Sequence, residues 1–266
     1  MANMTSIRAF AAVLCVTAMA ACDKNGVQNI AAPATGAYIR FQNYGVNVPG
    51  VNFYANDQKL TAISTANCTP PTAAACTTTG IESTTGVTYG GSANAGNYSM
   101  VTPGQYKLTG RIAAATDNGL AVASLDAPLT DGKYYSYYVS GIYNTTAKTS
   151  DSFLVEDALP TTFDYTKAYV RIINASPNSQ PITVSITLQG TTTAITVATA
   201  IAYKGASPIV NAAPGTYDIT ITYGGATNTF TNFPMVGGHV LTLTLRGDAT
   251  STSTATGLGF ISSYNR

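Results

Sequence analysis

The side chain best placed for chemistry in this chain of 266 residues is Cys22, which closes the run Ala18-Met19-Ala20-Ala21-Cys22. Arg8 supplies a positive start, residues 9–21 are mostly apolar, and Ala20 and Ala21 offer the small side chains that a signal peptidase requires. This is the pattern of a lipobox. Cleavage before Cys22 frees a thiol for acylation, and acyl chains contribute about 0.8 kcal/mol per buried methylene, enough in pairs to hold a chain stably on a membrane. The apolar run is shorter than the roughly 20 residues a spanning helix needs, and it ends in Asp23-Lys24-Asn25-Gly26. An ordinary secretory signal with a chance cysteine fits the same residues. Either way the expected location is the cell envelope, periplasmic or surface-exposed, with the membrane reached through the N-terminal lipid.

The remaining reactive side chains are few. Cys15 leaves with the leader, so Cys68 and Cys76 are the cysteines left for the folded region, separated by seven residues in a Thr/Pro/Ala-rich stretch. In an exported chain such a pair forms a local disulfide, worth about 2.5 kcal/mol by the loop-entropy relation. A metal site is the rival reading, but two thiols with no histidine nearby make half of a tetrahedral set. His239 is the one histidine, and no Gly-x-Ser-x-Gly elbow accompanies it, so a hydrolase has no nucleophile, base and orienting acid in view. The acids Asp117, Asp126, Asp131, Asp151, Glu156 and Asp157 read as solvated loop residues. Loop oxygens at one end of a β-sandwich could hold calcium, although no Asp-x-Asp-x-Asp run marks such a site. The expectation is therefore no enzyme activity, no catalytic residue, no metal and no cofactor. With 13 Lys and Arg against 12 Asp and Glu, there is also no basic patch for nucleic acid.

Recognition chemistry is better represented. Among 17 tyrosines, Tyr134, Tyr135, Tyr137 and Tyr138 fall in one run. Period-two alternation puts Tyr135 and Tyr137 with Val139 on the core face and points Tyr134 and Tyr138 outward. Outward tyrosines offer rigid contact area plus a hydroxyl, which suits a binding surface for a protein or glycan ligand. A domain–domain contact or an ordinary cross-strand ladder explains the same pair without a ligand.

The elements that carry these residues are strands. Charged residues make up 9% of the chain and there are 24 glycines and 12 prolines; abundant Thr, Ser, Asn, Tyr and Val favour pleated, half-buried surfaces over amphipathic helices. Leu241, Leu243 and Leu245 alternate with Thr242 and Thr244, and Tyr217, Ile219, Ile221 and Tyr223 with Asp218, Thr220 and Thr222. Val170 and Ile172, then Ile182, Val184, Ile186 and Leu188, face one way, with Arg171, Thr183, Ser185 and Thr187 facing the other.

The chain also repeats itself. Ala37-Tyr38-Ile39-Arg40-Phe41-Gln42-Asn43 matches Ala168-Tyr169-Val170-Arg171-Ile172-Ile173-Asn174. Later Pro103-Gly104-Gln105-Tyr106 matches Pro214-Gly215-Thr216-Tyr217, Gly132-Lys133-Tyr134-Tyr135 matches Gly238-His239-Val240-Leu241, and Ser152-Phe153-Leu154 matches Gly259-Phe260-Ile261. The shrinking offsets give the first copy roughly 20 extra residues around Cys68 and Cys76. The expected fold class is all-β: two tandem immunoglobulin-like β-sandwich domains, of about seven strands each, after a signal peptide and flexible tether. The divisions are a leader over 1–21, a tether over 22–36, a first sandwich with a disulfide-bearing insertion over 37–162, and a second over 163–266. At 110 to 130 residues each copy is long enough to fold alone.

The stretch Tyr169-Val170-Arg171-Ile172-Ile173-Asn174-Ala175-Ser176-Pro177-Asn178, with the later Ala213-Pro214-Gly215-Thr216-Tyr217, resembles the domain of unknown function 4397 family. The resemblance implies tandem modules in an exported or lipid-anchored bacterial protein without an assigned activity. Asn174 stands where that family usually has a histidine, and Thr183 where it has an aspartate, so no functional residue carries over. The first copy departs further, with Asn43-Tyr44-Gly45 at the turn. Together these features lead to a lipid-anchored envelope protein acting as a binding or surface-display module, with a structural spacer as the alternative.

Overall fold

The structure is a computed structural model and describes residues 35–61 and 86–265. Cys22, Cys68 and Cys76, and with them the lipidation and disulfide expectations, lie outside the described residues. The first half contains β1 (Ala37–Asn43), β2 (Val51–Ala55), β3 (Gln58–Lys59), β4 (Gly91–Ser92), β5 (Ser99–Val101), β6 (Gly104–Ile112), β7 (Ala121–Leu129), β8 (Tyr134–Asn144) and β9 (Thr149–Glu156). The second contains β10 (Ala168–Asn174), β11 (Ile182–Leu188), β12 (Ala194–Ile201), β13 (Val210–Ala212), β14 (Gly215–Tyr223), β15 (Ala226–Met235), β16 (Val240–Arg246) and β17 (Gly259–Tyr264). No α-helix occurs among the described residues, and none of their helices is long and apolar enough to cross a membrane.

The chain is all-β and builds two sandwiches from four sheets. The second half pairs its strands in the orders β13-β10-β16-β17 and β12-β11-β14-β15. The first half repeats this as β5 and β4 beside β1, then β8 and β9, over β3-β2-β6-β7. In each half the opening strand lies in the middle of its sheet and runs parallel to the penultimate one, with Tyr38 opposite Tyr134 and Tyr169 opposite Val240. The two-sheet sandwich stands as expected, but its order is not the ABED/CFG arrangement of an immunoglobulin constant domain. Eight strands recur in each half, and β4 is an addition of the first. The longest stretch between successive strands of the first half lies between β3 and β4.

The alternating residues pack as read. Ile39, Phe41, Phe53, Leu108, Tyr137 and Val139 lie in the first core; Val170, Ile172, Ile182, Val184, Ile186, Ile219, Ile221, Leu241, Leu243 and Leu245 lie in the second. The Pro-Gly turns match in detail, because Tyr106 Oη donates to the Thr102 carbonyl at 2.7 Å and Tyr217 Oη to the Ala213 carbonyl at 2.8 Å. One match slips by a residue. Tyr138 pairs with Phe153, and its counterpart Thr244 with Ile261, so Phe153 corresponds to Ile261 and not to Phe260. A one-residue slip reverses the face of every side chain: Phe260 packs on the second core, whereas Phe153 points away from the first.

Residues Gly36–Arg266 form one compact unit. Both faces of the β1/β8 and β10/β16 sheets are buried, the inner by their own cores and the outer by each other. Arg40, Ser136, Tyr138, Ser140, Arg171, Ile173, Val240, Thr242 and Thr244 all sit on the outer faces and are all buried. The side chains that alternation directs outward are therefore enclosed, and halves folding apart would expose them. At the proximal end, where Gly36 accepts a hydrogen bond from Gly132 N, lie the β7–β8 and β15–β16 turns, the 157–167 connection and the end of β17.

Candidate functional site

The densest collection of polar side chains lies between the two outer sheet faces. Arg40 on β1 and Arg171 on β10 occupy the same position in the repeat, and each is aligned by a hydroxyl on the parallel neighbour: Arg40 Nε donates to Ser136 Oγ at 2.7 Å and Arg171 Nε to Thr242 Oγ1 at 2.9 Å. Just beyond β9 and β17, Asp157 and Asn265 are equivalent, their backbone N–H groups donating to the Tyr134 and Val240 carbonyls. Ser136 Oγ donates to Asp157 Oδ2 at 2.6 Å, and Thr242 Oγ1 to Asn265 Oδ1 at 2.5 Å.

The cluster closes across the join. Arg171 Nη2 pairs with Asp157 Oδ1, Arg40 Nε lies 3.8 Å from Asp157 Oδ2, and Arg40 Nη1 reaches Ser263 Oγ on β17 at 3.4 Å. Tyr98 Oη donates to Asp157 Oδ2 at 2.6 Å and accepts from Asn265 Nδ2 at 2.9 Å. Each half thus reaches into the other from matching positions, as in an isologous dimer contact, with one asymmetry: the carboxylate of one half is an amide in the other. Two guanidinium groups share a single buried carboxylate.

Burial works against the Arg40 charge, but Tyr138, Tyr98 and Asp157 around it more than offset that, and its pKa lies above the usual arginine value. Burial, reinforced by Asp157, pushes the Tyr98 hydroxyl far up, so it remains a donor to the carboxylate. Burial likewise raises Tyr138, which lies stacked on Phe153 at 4.8 Å and packs with Tyr44, Ile173 and Ala175 in a third apolar cluster spanning both halves. Ser140 Oγ donates to the Ala175 carbonyl at 2.7 Å, and Lys204 Nζ reaches Asp151 at 2.8 Å across the same join.

Two expectations are corrected. Tyr138 does not form a binding surface, because it is 0% exposed inside the join. Asp157 is not a solvated loop acid but the counter-ion of two arginines. Arg171, read as facing outward, does so but meets Asp157 of the first half instead of solvent. Tyr134 is half-buried, stacked on Tyr38 at 4.6 Å and edge-on to Tyr98, and lines a cleft of about 520 Å³ with Lys133, Glu156 and Pro160. The other candidate acids are scattered: Asp117 pairs with Lys148, Asp151 with Lys204 and Glu156 with Lys133. Among the described residues no group of three or more His, Cys, Asp or Glu side chains is placed to hold a metal ion. His239 packs edge-on against Tyr264 at 5.7 Å at the proximal end. One signal for the cluster was legible in the sequence: an arginine at the same place in both copies, on the outward side of a strand, in a chain with few charges.

Comparisons with known proteins agree with the second half. Residues 168–259 match the family model described as Domain of unknown function (DUF4397). No curated protein matches the chain. Among solved structures, a proposed cell adhesion protein from Bacteroides ovatus is 12% identical over 86% of this chain and 95% of its own, with a TM-score of 0.26. The Bacillus anthracis TIE protein is 10% identical over 80% of this chain and 34% of its own, at 0.22. A proposed cell adhesion protein from Bacteroides eggerthii is 9% identical over 88% and 97%, at 0.21.

Proposed function

We propose that this chain is a cell-envelope lipoprotein, cut before Cys22 and acylated there, whose residues 37–162 and 163–266 are tandem copies of one sandwich domain serving as a non-enzymatic binding or surface-display module. The observation that carries this is the Arg40–Asp157–Arg171 cluster. It consumes the main group of charged side chains in structural pairing and welds the halves into one body, which is what holding loops at a fixed distance from an anchor requires. The ligand is a protein or a glycan. A structural spacer uses the same rigid join and differs only in having no ligand.

Mass spectrometry of the N-terminus from membranes, combined with protease shaving of intact cells, tests the proposal. A diacylated or triacylated Cys22 on a chain found in the envelope is the expected result. An unmodified Cys22, or a chain confined to the cytoplasm, overturns it.

A further inference from the structure

The proximal end carries a second cavity that no part of the join uses. Thr161, Thr162, Phe163, Tyr165, Gly238 and His239 line a cleft of about 560 Å³, within the 300–1,000 Å³ typical of ligand sites. A smaller one of about 180 Å³, lined by Val236, His239 and Tyr264, adjoins it through the shared imidazole. Tyr165 is 80% exposed, yet its ring has a defined seat: Gly238 has φ +75°, and a Cβ there would lie 2.4 Å from the ring. The ring thus packs against the glycine and is otherwise largely exposed.

The walls are held before any ligand arrives. Asp164 Oδ1 accepts from Thr166 N at 2.9 Å and from Thr166 Oγ1 at 2.6 Å, and Asp164 N donates to Tyr169 Oη at 2.9 Å. Gly238 N donates to the Lys167 carbonyl at 2.8 Å, tying the connection to the β15–β16 turn. A site already in its bound shape loses little freedom on binding.

Its chemistry is specific in one respect. Among the described residues neither lining contains Lys, Arg, Asp or Glu; the walls offer aromatic rings, two threonine hydroxyls and an imidazole. The charged pair beside these walls, Asp164 with Lys167 at 3.5 Å, is internally neutralised, and the described lining offers both stacking area and hydrogen-bonding partners to an uncharged polyhydroxylated ring. The two adjoining hollows have room for more than one ring. The geometry points to a binding groove for a neutral oligosaccharide, with Tyr165 as the stacking platform and His239 between two subsites. This deepens the binding-module proposal and rests on it.

Titration of the full chain with β-1,4-linked glucose tetramer and N-acetylglucosamine tetramer, against a galacturonate tetramer as the charged control, tests the groove. NMR of the tyrosine and histidine side chains reports binding. At least one neutral tetramer should bind at millimolar or lower concentration and the galacturonate should not. Tyr165→Ala should weaken binding at least tenfold, while Tyr165→Phe, which keeps the ring, should stay within about twofold. An unchanged melting temperature in Tyr165→Ala, a surface change, separates lost binding from lost folding. No binding of either neutral tetramer, tighter binding of the galacturonate, or full affinity in Tyr165→Ala overturns the groove. Those results leave Cys22 acylation and envelope location intact, so failure here is distinct from failure of the lipoprotein proposal.

Discussion

Replacing Asp157 by asparagine keeps the side chain's shape and removes its charge. In the native join that carboxylate faces two guanidinium groups and accepts hydrogen bonds from Ser136 and Tyr98, at 2% exposure. With it gone, two buried positive charges remain with no counter-ion. Removing one partner of a buried ion pair costs about 3–5 kcal/mol, because the surviving charge has been taken out of water without compensation. For a unit of this size each kcal/mol moves the melting midpoint by about 2–4 °C, so Asp157→Asn should lower it by about 6–20 °C. Thermal unfolding followed by circular dichroism reads this directly. The neighbouring Glu156→Gln, which touches only the surface ion pair with Lys133, should leave the midpoint nearly unmoved. Combining Arg40→Met, Asp157→Leu and Arg171→Met should recover most of the loss, since well-packed apolar replacements of a buried charge cluster are often neutral or stabilising. The reasoning is refuted if Asp157→Asn costs less than about 1 kcal/mol, below any range measured for a broken buried pair.

Two further outcomes follow from the same geometry. Tyr138 fills the third apolar cluster but its hydroxyl makes no hydrogen bond of good geometry; in urea titrations Tyr138→Phe should change stability by less than about 1 kcal/mol, whereas Tyr138→Ala should cost about 3–5 kcal/mol through the cavity it leaves. Asp248 is held below its ordinary value of 3.8 by hydrogen bonds from Asn178 and Thr250. A carboxyl depressed in the folded state adds stability that is fully present above its unfolded value and is lost as pH falls through the folded one. The protection factors of amides in residues 247–258, observed exchange divided by the intrinsic rate at each pH, should therefore stay constant above pH 4 and fall only at lower pH, and Asp248→Asn should abolish that acid dependence.

Much of the architecture could be read one residue at a time. The core faces of β8, β10, β11, β14 and β16 followed from period-two alternation, and the Pro-Gly-x-Tyr turns matched because both tyrosines make the same bond to a carbonyl four residues upstream. The β9 and β17 match slipped because Phe153 and Phe260 look alike as letters, while only strand pairing distinguishes a ring facing a core from a ring facing a join. Outward tyrosines and arginines in a sheet normally meet water, and alternation gives a direction without saying what lies along it. The equivalence of Asp157 and Asn265 was hidden for a related reason, since both sit one step past a strand in segments with no shared spelling.

The sequence by itself determined that this chain is all-β and which side chains fill each sandwich, because those outcomes depend on neighbours within a strand and on the alternation along it. Only the tertiary structure decided that the outer faces of the two central sheets close on one another. That contact brings together residues 40, 98, 136, 157, 171, 242 and 265, and the pairing of charges so distant in the chain depends on three-dimensional proximity and on burial, which no local spacing encodes.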